Sequence, residues 1–222
     1  MKKLVIFDLD GTLIDTIADL AHSTNHALKA CGYPEHATEE YYHFVGNGID
    51  KLFERALPET ARTRENVLRI RTNFLPHYDL HNTDLSRPYQ GIPELLQQLK
   101  EEGYRLAVAS NKYQRATEHI ISRLLPGIPF QPVFGQRENV PRKPDPTVVH
   151  EILSLTATPP EEALYAGDSD VDMQTALSAG VTACAVTWGF RSRSELEIFH
   201  PRYMADTPQD IYRALLQEKQ IP

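Results

Sequence analysis

Two aspartates, Asp8 and Asp10, stand two residues apart in VIFDLDGTLIDT, Val5 to Thr16, and three more, Asp168, Asp170 and Asp172, alternate in GDSDVD. Carboxylates brought together in a dry crevice repel one another, and protonation or a bound cation relieves them. An oxygen donor set of this kind suits a hard divalent ion such as Mg2+, which combines one or two carboxylates with waters and ligand oxygens. Ser110-Asn111 adds a hydroxyl and an amide, and Lys143, in RKPDP, adds an ammonium. Each has a plainer reading when taken alone: the Asp-x-Asp-Gly as a capped turn, Ser110-Asn111 as a helix N-cap, Lys143 as a solvated surface lysine. GDSDVD also imitates the opening of a calcium loop. It fails at the sixth position, Met173 in place of glycine, and at the twelfth, Ala179 in place of glutamate.

These residues need elements that deliver them to one place. KLVIF, RLAVAS (Arg105 to Ser110), EALYAG (Glu162 to Gly167) and VTACAV (Val181 to Val186) read as buried strands separated by amphipathic segments. Such alternation predicts a parallel sheet wrapped by helices. Pro93 opens and Gly103 follows one helix, and Gly180 follows another. Asp8-Asp10, Ser110-Asn111 and Asp168 to Asp172 all follow predicted strands, and open α/β sheets bind ligands beyond those carboxyl ends. From about Asp15 to Arg87 the pattern changes to helical periodicity alone. Ile17, Leu20, Ala21, Leu28 and Cys31 share one face, followed by Leu52, Phe53 and Leu57, then Val67, Ile70 and Phe74. This is a helical insertion after the first strand, bounded by Leu13 to Thr16 and by Ser86-Arg87-Pro88, and a candidate lid.

A chain of 222 residues, 41% apolar and 24% charged, can bury a sizeable core as one domain plus an elaboration. The net charge of −7 argues against nucleic acid as a partner, since phosphate-backbone binding draws on clustered Lys and Arg. Cys31 and Cys184 are far apart and outside any CxxC, which fits a reducing cytoplasm better than a disulfide framework or thiolate zinc site. The apolar run in MKKLVIFDLDG stops at Asp8, too short for a signal peptide, and no stretch is long enough to span a membrane.

DLDGT at Asp8 to Thr12, Ser110-Asn111, Lys143-Pro144 and GDSDVD at Gly167 to Asp172, in this order and with a helical insertion after the first, resemble the four motifs of the haloacid dehalogenase superfamily of phosphatases. The resemblance covers essentially the whole chain. FVGNGIDKLFERAL (Phe44 to Leu57), KPDP and VTWGF (Val186 to Phe190) are similar to the phosphoglycolate phosphatase branch with its helical cap. The resemblance implies a Rossmann-like α/β core from residues 1–14 and 88–222 and an all-helical cap from 15–87. It implies Mg2+ held by Asp8 and Asp168, by the Asp10 backbone carbonyl, and by Asp172 from nearby. Asp8 is then the nucleophile that forms an aspartyl-phosphate, and Asp10 the acid for the leaving group and the base for the hydrolytic water. Thr12, Ser110, the Asn111 backbone and Lys143 gather the phosphoryl oxygens. The implied partner is a small phosphorylated metabolite, with 2-phosphoglycolate the favoured substrate and a monomer or homodimer the expected state.

Other substrates remain open at this level: a sugar phosphate, pyrophosphate or a nucleotide. A phosphoglucomutase-type isomerase is a rival, although the arginine that such enzymes place after the cap-loop glycine is matched here by Ile49. Asp10 disfavours a dehalogenase, and the full motif set disfavours a silent binding protein. In the insertion, Gly46, Asn47 and Gly48 are either a plain loop or amides that meet an anionic substrate. Arg55 reads as a surface ion pair or a carboxylate ligand, Asp170 as solvent-facing or structural, and Trp188-Gly189-Phe190 as a turn near the site. His22 and His26, like His77 and His81, have the i,i+4 spacing of metal ligands on a helix, with no third ligand in view.

Overall fold

The computed structural model describes residues 2–220. In chain order the elements are β1 (Leu4–Phe7), β2 (Ile14–Asp15), α1 (Ile17–Ala30), α2 (Tyr41–Phe44), α3 (Ile49–Ala56), α4 (Arg64–His81), β3 (Arg87–Pro88), α5 (Ile92–Glu101), β4 (Arg105–Tyr113), α6 (Gln114–Leu124), β5 (Phe130–Gln136), α7 (Thr147–Leu155), β6 (Ala163–Gly167), α8 (Asp170–Ala179), β7 (Thr182–Val186), α9 (Arg193–Glu197), β8 (Tyr203–Ala205) and α10 (Pro208–Gln220). The main sheet is parallel in the order β5-β4-β1-β6-β7-β8. The period-2 geometry of a strand sends alternate side chains to opposite faces. Val5 and Phe7 accordingly pack with α5, α6 and α10, while Leu4 and Ile6 pack with α7 and α8.

The register aligns the chemistry. Phe7 lies opposite Val108 on one side and Ala166 on the other, so β1 and β6 end nearly level while β4 runs on to Tyr113 and carries Ser110 past the end of β1. Asp8, Ser110 and Asp168 therefore emerge along one edge. The chain winds outward from β1 through β4 to β5 and then crosses back to β6, which makes the end of β1 the topological switch point where such sheets open a crevice.

Two strands escaped the sequence pattern. β5 carries Pro132 and Gly135 in its middle, and β8 has only three residues. The insertion is also not purely helical at its ends: β2 and β3 form a small antiparallel ribbon, Ile14 opposite Pro88 and Asp15 opposite Arg87. Between them α1 to α4 gather a separate apolar cluster around Phe53, Phe74 and Tyr78, whose neighbouring ring centroids lie 4.9 Å apart. Asp19, 1% exposed, fastens α1 to the returning chain by accepting from Leu85 N, Ser86 N and Ser86 Oγ, the last at 2.6 Å. Gly180 closes α8 in the left-handed conformation, φ 70°, as its position after the helix predicts.

Candidate active site

β1 ends at Phe7 and places Asp8 between β4 and β6. Asp8 Oδ1 accepts from Leu9 N at 2.7 Å and from Lys143 Nζ at 3.0 Å. Among the described residues nothing donates to Oδ2, so one oxygen is pinned and the other is free. Burial and the neighbouring Asp172 raise the Asp8 carboxyl well above its ordinary range, and Lys143 only partly offsets this. Lys143 is 5% exposed, the opposite of a solvated surface lysine. Its ammonium also meets Asp172 Oδ1 at 2.7 Å and Tyr165 OH at 2.9 Å. Burial pulls that ammonium down, but Asp172 and Asp8 outweigh it and hold it protonated.

Asp172 sits fully buried in the first turn of α8, and both its oxygens are already engaged. Lys143 and Tyr165 donate to Oδ1, and Ser169 N and Oγ donate to Oδ2 in a capping box. Asp168 is held by one donor on each oxygen, Thr12 Oγ1 at 2.9 Å and Phe190 N at 2.8 Å, and burial pushes its carboxyl up to about 7. The turn Trp188-Gly189-Phe190 is thus part of the site's frame, and Trp188 Nε1 adds a bond to Thr12 O at 3.0 Å. Gly189 is required there: a Cβ would stand 2.3 Å from Asp168 Cβ and from Gly11 O. Asp8, Asp168 and Asp172 each offer an oxygen within 4.8 Å of the others. The Lys143 ammonium meets two of these three buried carboxylates, Asp8 and Asp172, and the donors are all oxygen, so the set fits a hard divalent cation. Asp8 and Asp168 retain lone pairs for it, whereas Asp172 is committed to Lys143 and Ser169.

Thr12 departs from its expected place. It is fully buried and its hydroxyl is spent on Asp168, which makes it a support for that carboxylate and leaves it no reach toward a phosphate. Asn111 is likewise a brace. Its side chain accepts from Lys143 N at 2.9 Å and donates to Lys143 O at 3.1 Å and Gly46 O at 3.2 Å, tying the lysine loop to the insertion. Ser110 and Asn111 lie inside β4, so neither is a helix cap.

Asp10 has a partner that the motifs do not contain. Its Oδ1 accepts from Thr16 Oγ1 at 2.6 Å and lies 3.2 Å from Lys112 Nζ, which is 4% exposed and donates to Tyr78 OH at 2.7 Å. Lys112 thereby links Asp10 to α4 of the insertion. A signal for it existed: on a strand, residue 112 shares a face with Ser110.

From the insertion, Gly46, Gly48, Ile49 and Leu52 close over Asp8, Asp10, Ser110 and Lys112, leaving a cavity of about 40 Å³. That is room for a few waters. Gly46 and Gly48 have φ of 122° and 83°, conformations that glycine adopts without strain. Asn47 turns elsewhere, accepting from Arg55 Nη2 at 2.8 Å, and does not line this cavity. Arg55 also donates to Phe44 O at 2.9 Å, so it shapes the loop, and among the described residues it has no ion-pair partner. From the core, Arg191 donates to Tyr42 O and Val45 O at 2.6 and 2.9 Å and grips the same loop. Asp170 is half exposed, 3.9 Å from Arg191 Nε.

Among known proteins, residues 5–186 match the family described as haloacid dehalogenase-like hydrolase. The phosphoglycolate phosphatase of Mesorhizobium japonicum is 36% identical, over 90% of this chain and 88% of that one. A crystal structure from Lactobacillus delbrueckii subsp. bulgaricus, 32% identical, superposes with a TM-score of 0.91 over 96% of this chain and 98% of the other. That of a predicted phosphoglycolate phosphatase from Haemophilus somnus, 30% identical, gives 0.89 over the same shares.

Proposed function

The chain belongs to the haloacid dehalogenase-like hydrolases, and from that premise we propose that it is a Mg2+-dependent phosphatase of small phosphomonoesters, with 2-phosphoglycolate its preferred substrate. The observation that carries the reading is Asp8: one oxygen pinned by Leu9 N and Lys143, the other free toward the cavity, and a second carboxylate two residues on. The free oxygen attacks phosphorus, the P–O bond to the alcohol breaks, and Asp10 gives its proton to the departing alkoxide. Asp10 then takes a proton from the water that hydrolyses the aspartyl-phosphate. Ser110 and Lys143 stabilise the phosphoryl oxygens as charge develops. Thr16 and Lys112 hold the Asp10 carboxyl in place. Asp8, Asp168 and the Asp10 carbonyl would hold Mg2+, with Asp172 as the outer support, and the ion would supply neutralisation of the charge on substrate and carboxylates.

The insertion 15–87 acts as a cap, and a substrate larger than a few waters requires it to lift and reclose. The amides of Gly46 and Gly48, followed by the N-terminus of α3, suit a carboxylate on the small substrate. Ile49 puts an apolar side chain where a mutase places its arginine, which favours hydrolysis over isomerisation. The test is phosphate release from a panel of esters, pyrophosphate and nucleotides with Mg2+ present. The expected result is the highest kcat/KM for 2-phosphoglycolate; no release from any member sinks the phosphatase reading, and a different best substrate sinks only the preference.

A further inference from the structure

We infer that the cap carries a second metal site of a different class, in which His22 and His26 of α1 and His77 and His81 of α4 bind an imidazole-seeking divalent ion such as Zn2+. Each pair is spaced i,i+4, which places both rings on one helix face, and the packing of α1 on α4 turns the two pairs toward each other. The His77 ring centroid lies 4.1 Å from that of His26, 4.5 Å from His81 and 5.2 Å from His22. Four imidazoles from two helices supply enough donors for a tetrahedral set once the rings turn; as they stand, among the described residues only Asp8, Asp168 and Asp172 bring three ligand atoms within 4.8 Å of one another. The third ligand missing from either helix alone is supplied by the other.

The hydrogen bonds have the pattern of an outer shell. His81 Nδ1 lies 2.7 Å from Asp84 Oδ2 and His77 Nδ1 lies 3.0 Å from Ser23 Oγ, which orients both rings and leaves their Nε2 atoms without partners among the described residues. Neither nitrogen of His22 or His26 has a hydrogen-bond partner among the described residues. The rings are stacked and edge-on rather than fanned about one point, so coordination needs ring rotation. Exposed side chains such as His22 and His26 rotate on the ps–ns timescale, with the helices unmoved. Nitrogen donors separate this site from the carboxylate site, which prefers hard ions.

The cluster lies at the joint between cap and core. His22 is one turn along α1 from Asp19, which accepts from Leu85 and Ser86, and His81 and Asp84 begin the same returning strap. A bound ion braces that joint.

The test is a Zn2+ titration of the full chain by calorimetry with Mg2+ saturating, so that the carboxylates are occupied. One Zn2+ per chain is expected. His22→Gln with His26→Gln removes two exposed rings that lack hydrogen bonds, and should lower the affinity at least tenfold with an unchanged zinc-free melting curve. Asp84→Asn should weaken Zn2+ by about 10–100-fold, and Asp8→Asn should leave it intact. In hydrogen exchange, Zn2+ should slow the Leu85 and Ser86 amides of the wild type and not those of the double variant. Absence of binding in Mg2+, or unchanged affinity in the double variant, overturns the site; binding with unchanged exchange overturns the brace.

Discussion

On the core side of the cleft the chemistry is carried by side chains, each tied to another: Lys143 between Asp8 and Asp172, Thr12 and Phe190 N on Asp168, Ser169 on Asp172. On the cap side the chain presents backbone and apolar surface, with Gly46, Gly48, Ile49 and Leu52 facing the cavity. The two sides touch through polar links that include Asn111 to Gly46, Arg191 to the Tyr42 and Val45 carbonyls, Lys112 to Tyr78 and Thr16 to Asp10. Buried, mutually satisfied ion pairs are costly to disturb, whereas a few hydrogen bonds to carbonyls are each worth about 1 kcal/mol and can break and reform. The difference is the one expected of a fixed reacting centre beneath a movable cover, the division proposed above.

If that division is right, core substitutions should act on kcat and cap substitutions on KM. Asp8→Asn should abolish phosphate release while the protein melts as a folded chain, because an amide is not a competent nucleophile. Retained turnover would mean that water attacks phosphorus directly.

Asp10→Asn should slow alkyl phosphates by about 10²–10⁴-fold. p-Nitrophenyl phosphate needs no proton for its leaving group, so with it the variant should show a burst of nitrophenolate and a mass increase on the Asp8 peptide after acid quench. Equal losses on both substrates without a phosphoenzyme would make Asp10 a scaffold of the metal site.

The raised Asp168 carboxyl predicts a pH dependence on the core side alone. Its folded value of about 7 lies above the ordinary 3.8, so the metal-free fold binds more protons than the unfolded chain. Its contribution to stability is therefore full below about pH 4 and is lost as pH rises toward about 7. Mg2+ must displace that proton and any proton held by Asp8, whose carboxyl is also raised, so its affinity should fall by roughly tenfold or more per pH unit below 7, measured by calorimetry. A flat profile from pH 5.5 to 8 would show that Asp168 is already ionised without metal.

The smallest effects are expected on the cap. Gly48→Val places a Cβ about 3.2 Å from the Arg142 guanidinium at a φ of 83°. It should raise KM several-fold for small carboxylated phosphates with kcat nearly kept. Equal changes across all esters would remove the loop from substrate selection.

What the sequence determined is local. Three apolar residues ending in Asp8, a carboxylate two residues later, and polar pairs after the next strands follow from period-2 alternation and strand ends, and parallel pairing in level register then brings them together. The helical faces of the insertion were legible for the same reason, since Ile17, Leu20, Ala21 and Leu28 repeat at the helical period and are buried. The partners that sit far apart in the chain were not. Lys112 reaches Tyr78 across 34 residues and Arg191 reaches Tyr42 across 149, and the histidine pairs meet only because α1 packs on α4. Thr12 has the expected type in the expected motif, yet its hydroxyl serves as a brace, as does the Asn111 side chain, because which way a buried hydroxyl or amide turns is set by the donors and acceptors that packing places around it. Spacing along a chain fixes which residues share a strand end or a helix face; only the packed tertiary structure decides what each one touches across the cleft.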